Sequence, residues 1–100
     1  MQVFKFGGAS VKSAIAVKNV STILNSYGGE NVVVIISAMG KSTNLLEKIC
    51  VAYCNGNSFY ELLNEFKSFH RAIINDLLEE GSRDYYDVEN LFIELECLLD

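Results

Sequence analysis

The sequence predicts an α/β protein, with a βαβ unit over residues 1–44 and a helical segment over residues 45–100. Strand, helix and strand patterns succeed one another within the first 35 or so residues, and the second half contains only helical patterns. Half of the 100 residues are hydrophobic, so the chain can bury a core. We therefore expect a single small α/β domain whose second half is helical.

The first strand, Val3 to Phe6, ends in a glycine pair that is typical of a phosphate site. Gly7 and Gly8 allow close approach of a ligand to the backbone. We expect a helix to begin at once with Ser10 as its N-cap, so that its free N–H groups and its dipole attract an anion. Lys5 adds a positive charge. The same residues are also compatible with a surface lysine, an ordinary turn and a simple helix cap.

The next two elements complete the βαβ unit. Apolar residues at helical spacing over residues 11–27 predict a helix, which Gly28-Gly29 ends. The run 32–36 is β-branched and apolar on both faces, which is typical of a central parallel strand. A right-handed crossover brings the carboxyl ends of both strands to one edge, where open α/β sheets bind ligands. We expect Lys5–Ser10 and Ser37–Asn44 to face the same crevice.

The second half predicts three helices. They begin near Asn44, after a capping box at Ser58 to Glu61, and near Asp84. The last two, running to about Glu80 and to Asp100, form an expected antiparallel hairpin whose apolar stripes serve packing.

Two strands alone leave both edges of a sheet open, and isolated parallel pairs are rare. The chain is therefore expected to be a piece of a larger sheet. On its own, we expect it to form a homo-oligomer, by strand addition or by exchange of the helical hairpin.

Charge and cysteine content limit the partners and the compartment. The net charge of −5 and the pI of about 4.7 argue against a nucleic-acid backbone as partner but allow a nucleotide in a local basic site. No apolar run is long enough to span a bilayer, and the N-terminus has no secretory signal pattern. Three cysteines without a disulfide spacing suit a reducing compartment. We expect a cytoplasmic protein with no membrane partner.

The cysteines and the one histidine offer a weaker alternative. Cys50 and Cys54 stand four residues apart, on one face of a helix, and Cys97 and His70 are the further ligands that a metal site would need. The favoured interpretation is that the free cysteines are buried and that His70 is a half-exposed helix residue.

Two common nucleotide motifs are excluded by counting. Gly40-Lys41-Ser42 matches the end of a P-loop, but the glycine required five residues earlier is Ile35. The dinucleotide fingerprint fails because no third glycine follows Gly7-Gly8 at the right spacing. What remains is the Lys-x-Gly-Gly pattern on the first strand.

The segment Lys5–Val11 resembles the N-terminal signature of the aspartate kinases, within the amino-acid kinase family. A second block, Val34–Gly40 followed by Thr43–Leu46, is similar to the family's segment between its second strand and the next helix. Ala9 departs from the threonine that is usual there. The resemblance implies the N-terminal βαβ piece of a three-layer amino-acid-kinase sheet, with the rest of the kinase domain and regulatory ACT domains outside these residues.

The resemblance implies ATP-dependent phosphorylation of the side-chain carboxylate of L-aspartate to 4-phospho-L-aspartate, in lysine, threonine and methionine biosynthesis. It implies ATP and Mg²⁺ as cofactors, with no metal ligand in this chain. Lys5 would be catalytic; Lys5, Gly7, Gly8 and Ser10 would bind the ATP phosphates; and Ser37, Gly40, Thr43 and Asn44 would bind aspartate. The 100-residue chain alone is expected to be inactive.

Three alternatives stay open at this point. Residues 37–44 also fit a plain loop with a helix cap. The enzyme could be another amino-acid kinase, acting on glutamate, acetylglutamate, carbamate or a nucleoside monophosphate. The chain could also be a non-catalytic binding or assembly module whose working surface is the helical hairpin.

Overall fold

The computed structural model describes all residues, Met1–Asp100. In chain order the elements are β1 (Gln2–Phe6), a 3₁₀ turn (Gly8–Val11), α1 (Ala14–Asn25), β2 (Val32–Ile36), α2 (Ser42–Cys54), α3 (Tyr60–Leu77) and α4 (Arg83–Leu99). The chain divides into two compact units, Met1–Asn44 and Leu45–Asp100. None of the helices combines the length and the apolar character needed to cross a membrane.

The first unit is built on a two-stranded parallel sheet. Its register pairs Gln2 with Val32 at one end and Phe6 with Ile36 at the other, which confirms the predicted βαβ unit. Phe6 is buried with Val11 of the 3₁₀ turn and Val20 of α1. Side chains alternate between the faces of a strand, so Lys5 lies on the sheet face opposite this core.

β2 is not a central strand within these residues. It pairs only with β1, and four consecutive apolar side chains, Val33 to Ile36, are between 38% and 55% exposed. Their pattern is typical of a strand covered on both faces. The 100 residues provide no second neighbouring strand or second helical layer to cover them.

The start of α1 differs from the sequence prediction. Ser10 is not its N-cap, because residues 8–11 form a 3₁₀ turn and α1 begins only at Ala14. The N-cap is Ser13, whose Oγ accepts a hydrogen bond from the Ala16 N–H at 3.2 Å. Val11 lies in this turn but stands four residues before Ile15, so its spacing matched a helix and the sequence prediction extended the helix too far.

The second unit is helical, and its predicted antiparallel hairpin is confirmed. Ile49 of α2, Leu63 and Phe66 of α3 and Phe92 of α4 form its buried core. Arg71 on α3 donates two hydrogen bonds to the Glu89 carboxylate on α4, from Nε at 2.9 Å and from the terminal nitrogen at 2.8 Å.

Several local predictions for this unit are wrong. The expected capping box is not formed, because the N-cap of α3 is Phe59 and it makes no side-chain cap bond. α3 ends at Leu77 rather than near Glu80. The three cysteines, expected to be buried, are all exposed. The prediction for His70 is confirmed: it is a partly buried residue of α3, and its ring Nδ1 lies 2.8 Å from the Phe66 carbonyl oxygen.

A candidate anion cradle between two strand-end loops

The loops that follow β1 and β2 are joined by backbone hydrogen bonds. The Ser37 N–H donates to the Phe6 carbonyl at 2.9 Å, which continues the sheet one residue past its last paired position. The Gly40 N–H then donates to the Gly8 carbonyl at 3.0 Å. The two segments that the sequence predicted to share a crevice are therefore in direct contact.

The two glycines of the first loop have different roles. A Cβ atom on Gly8 would lie 2.5 Å from the Gly40 carbonyl oxygen and 3.3 Å from that of Ala38. A Cβ atom on Gly7 would meet nothing within 4 Å. Gly8 therefore lacks a side chain because the second loop occupies that space. The space beside Gly7 is open to a ligand.

The first loop also has N–H groups to offer. Its backbone hydrogen bonds use the Ser10 N–H, which donates to the Gly7 carbonyl at 3.0 Å, and the carbonyl of Gly8. None of the loop and turn bonds uses the N–H groups of Gly7 or Gly8. Unpaired amides at the start of a helical turn are a favourable setting for an anion. Ser10 is exposed within the same turn.

Lys5 lies one residue before the end of β1, on the face opposite the core. It is exposed and makes no ion pair. Its register partner on β2 is Ile35, so an apolar side chain stands beside it on that face. An ammonium group without a carboxylate partner keeps its charge for a ligand.

The second loop turns sharply at Gly40, whose φ of +56° lies in the left-handed region that favours glycine. Ser42 follows as the buried first residue of α2, and its hydroxyl donates to the Met39 carbonyl. Asn44 was predicted to start this helix, but α2 begins two residues earlier. Thr43 and Asn44 are exposed in its first turn.

Charge is divided unequally along the chain. Residues 1–44 contain four lysines and one glutamate, whereas residues 45–100 contain four basic and twelve acidic residues. Ser37, exposed directly after β2, belongs with all the other predicted site residues to the basic part. The overall acidity therefore conceals a basic unit suited to an anionic ligand.

The residues present fit a phosphate group better than they fit a metal ion. No group of three or more His, Cys, Asp or Glu side chains is placed to hold a metal. Glu30 is the one acidic residue of the first unit, and its carboxylate accepts a hydrogen bond from the Gln2 side-chain Nε2 at 3.4 Å. This contact lies at the opposite end of β1 from the loops. Amides, one ammonium group and nearby hydroxyls can orient and neutralise an anion.

Two features of this site were not predicted from the sequence. The Gly8–Gly40 contact depends on the packing of residues 32 positions apart and leaves no local signature. Ser13 had a usable signal, since it directly precedes the apolar helical run that begins at Ala14.

No protein-family model matches the chain. Among curated proteins, it is 50% identical to aspartokinase 2 of Arabidopsis thaliana over 79 residues, which are 75% of this chain and 14% of that protein. It is 32% identical over 79 residues to a bifunctional aspartokinase/homoserine dehydrogenase of Daucus carota, covering 78% of this chain and 9% of that protein. The chain thus spans about one seventh or less of the length of these relatives.

A solved structure agrees with these sequence relatives. The crystal structure of Clostridium acetobutylicum aspartate kinase superimposes with a TM-score of 0.72 and 27% identity, over 86% of this chain and 21% of that chain. The agreement confirms the predicted fold class, a βαβ unit with a helical hairpin as in the aspartate kinases.

The expected cytoplasmic location is wrong. All five curated plant relatives are named as chloroplastic proteins. An odd number of free cysteines indicates a reducing setting without distinguishing between reducing compartments.

Proposed function

Because this chain is an aspartate kinase-like segment, we propose that it supplies the phosphate-binding and substrate-binding loops of an ATP-dependent aspartate kinase. The reaction transfers the γ-phosphoryl group of ATP to the side-chain carboxylate of L-aspartate and gives 4-phospho-L-aspartate and ADP. The observation that carries this proposal is the direct contact of the two loops at the carboxyl ends of two parallel strands.

The first loop binds the phosphates in this proposal. The N–H groups of Gly7 and Gly8 hold oxygens of the transferring phosphoryl group, and the Lys5 ammonium neutralises charge that develops on them. The open space beside Gly7 admits the phosphate, and the exposed Ser10 hydroxyl of the same turn supplies a further donor. Phosphoryl transfer needs mainly positioning and charge stabilisation, which these groups provide.

The second loop binds the amino-acid substrate in this proposal. Ser37 and Thr43 donate hydrogen bonds to aspartate, and the tight turn at Gly40 allows the substrate to approach the backbone. Asn44, exposed in the first turn of α2, adds an amide that can both donate and accept. A carboxylate oxygen of the bound substrate then attacks phosphorus as the bond to ADP breaks.

The Mg²⁺ that accompanies ATP is held by residues outside these 100. The basic unit has one carboxylate, which lies at the opposite end of β1 from the loops. Closure around the nucleotide also needs further residues, since a half-open site does not exclude water. We therefore propose that the isolated chain binds without turning over, and that the complete enzyme is longer, extending into the rest of its kinase domain and regulatory ACT domains.

Relatives named as chloroplastic favour a plastid as the location of the complete enzyme. Its partners in this proposal are ATP and L-aspartate. A homo-oligomer is the third part of the proposal, and the exposed apolar side chains of β2 support it for the isolated chain.

An amide NMR titration of the chain with Mg-ATP and then with L-aspartate tests the proposal. We expect Mg-ATP to shift Gly7 and Gly8, and aspartate to shift Ser37 and Thr43. L-Glutamate is the matched control for another amino-acid kinase, and it should leave the second pair unmoved.

Two results would contradict the proposal. Equal responses to glutamate and aspartate would remove the substrate assignment. An unchanged spectrum at millimolar Mg-ATP would favour the non-catalytic module.

A further inference from the structure

A pair of thiols on α2 lies outside the proposed kinase chemistry. Cys50 and Cys54 are both exposed and stand four residues apart, which is about one helical turn. Residues at this spacing are neighbours on one face of a helix, with Cβ atoms roughly 5–6 Å apart. Cys97, the third exposed cysteine, has no such companion on α4.

The pKa of Cys50 responds to its neighbour on the helix. A hydrogen bond to Cys54 is the largest cause that raises the pKa of Cys50 above its ordinary value. This effect agrees with the helical spacing, which places both thiols on one face of α2. The helix ends at Cys54, and Gly56 follows with a φ of +70°, so the second thiol sits at a helix end where small adjustments are easy.

A site with only two thiols suits a soft, thiophilic atom that binds two sulfur ligands from the protein. No third His, Cys, Asp or Glu is placed to complete a zinc site. Thiolates select soft, thiophilic centres. A trivalent arsenical with one organic substituent has two positions for sulfur ligands and keeps its third bond to carbon.

We propose that Cys50 and Cys54 form a dithiol site that captures monosubstituted trivalent arsenicals as a cyclic dithioarsenite. With phenylarsine oxide, two As–S bonds form and the arsenic–oxygen bonds break. The oxygen leaves as water with both thiol protons. Arsenic stays trivalent, so the step needs no oxidant or reductant. This site is independent of the proposed kinase function.

Intact-mass and thiol-labelling measurements with phenylarsine oxide test the proposal on the full chain. We expect one phenylarsenic group per chain, with one thiol left to react with N-ethylmaleimide. Peptide mapping should place that remaining thiol at Cys97. The adduct should survive an excess of 2-mercaptoethanol and be removed by 2,3-dimercaptopropanol, because only a dithiol competes with a chelate.

Single substitutions supply the controls. Cys50→Ser and Cys54→Ser should each weaken retention about 100-fold or more, since the second attachment becomes intermolecular. Cys97→Ser should retain the arsenical as the native chain does. All three positions are exposed, and circular dichroism checks that each variant is folded.

Either of two results would overturn the proposal. One is arsenic mapped to Cys97. The other is equal loss of the adduct to 2-mercaptoethanol from the native chain and from Cys50→Ser.

Discussion

At Gly8 the backbone of one loop occupies the place that a side chain would take. The Gly40 carbonyl oxygen would lie 2.5 Å from a Cβ atom there, which is closer than real Cβ contacts allow. The obstructing atom belongs to the backbone, so relief requires that one of the loops moves. Gly7, one residue away, has a φ of −77° and open space, so an added methyl group meets neither strain nor a neighbour.

We expect Gly8→Ala to destabilise the chain by about 1–3 kcal/mol, the usual cost of forcing extra volume into a packed site. Gly7→Ala is the matched control and should change stability by less than about 1 kcal/mol, since alanine also restricts the unfolded chain. Urea unfolding followed by circular dichroism measures both. Equal losses in the two variants would contradict the packing role assigned to Gly8.

Lys5 is the second single residue with a testable role, because its positive charge can bind the ATP phosphates. We expect Lys5→Ala to weaken Mg-ATP binding by about 10- to 100-fold, the loss of one charge-assisted hydrogen bond. In the complete enzyme, turnover should fall by about 100-fold or more. Lys18→Ala removes an equally exposed lysine from α1 and serves as control in both assays. Near-normal turnover in Lys5→Ala would exclude Lys5 from catalysis.

At the scale of elements, a bidentate ion pair between Arg71 and Glu89 links α3 to α4 beside their apolar contacts. The Arg71 guanidinium lies 5.3 Å from the centre of the Phe92 ring as well as against Glu89. The hydrogen bond from Arg71 lowers the pKa of Glu89 and raises that of Arg71. The pair adds a polar contact between the two helices beside their buried apolar core.

The pH dependence of stability should reflect this pair. Because the pKa of Glu89 is lower in the folded chain than in the unfolded chain, its contribution is complete at neutral pH. That contribution is lost as the pH falls through the lowered pKa. We expect Glu89→Gln to cost about 1 kcal/mol or less at pH 7 and to flatten the acid limb of the stability curve.

Thermal unfolding of Glu89→Gln between neutral and acidic pH measures this effect. Glu94→Gln, on the same helix and exposed without an ion pair, is the control. A variant curve that parallels the native curve at all pH values would contradict the assignment to Glu89.

Hydrophobic periodicity predicted most of the elements but not all of their boundaries. Periodicity predicted β1, β2 and the helical hairpin, because burial of one face repeats along each of them. It failed at Ser10 and Ser13, because Val11 of the 3₁₀ turn has the spacing of a helix residue although α1 begins only at Ala14. The sequence prediction also failed at the capping box of α3. The N-cap is Phe59, which packs against the buried core of the unit, and no polar side chain caps the helix.

The candidate site was predictable in part for a related reason. Strand ends and glycine spacing predicted which loops would meet, since both follow from local order and the handedness of the crossover. Which glycine is packed and which is open depends on a contact between distant residues. No local pattern encodes that difference.

At the scale of the whole molecule, β2 has the apolar sequence of a buried strand, but its side chains are exposed. An open, apolar strand edge is a template for pairing with another chain. We expect the isolated chain to self-associate as its concentration rises, measured by light scattering on a size-exclusion column. Ile35→Lys should reduce this association, because a charged side chain on the exposed strand opposes pairing with another chain.

Ile15→Lys is the control, since Ile15 is 81% exposed on α1 and lies outside the sheet. A clean monomer mass for the native chain at high concentration would contradict the prediction. So would equal loss of association in both variants.

The register of the sheet has a consequence for synthesis in the cell. Each residue of β1 pairs with the residue thirty positions later, from Gln2 with Val32 onward. At about 5–20 residues per second, β1 leaves the ribosome roughly 1.5 to 6 s before its partner strand does. During that interval Phe4 and Phe6 have no sheet to join. β1 therefore stays unpaired until Ile36 has also left the ribosome, and a pause in translation before that point prolongs its exposure to chaperones and proteases.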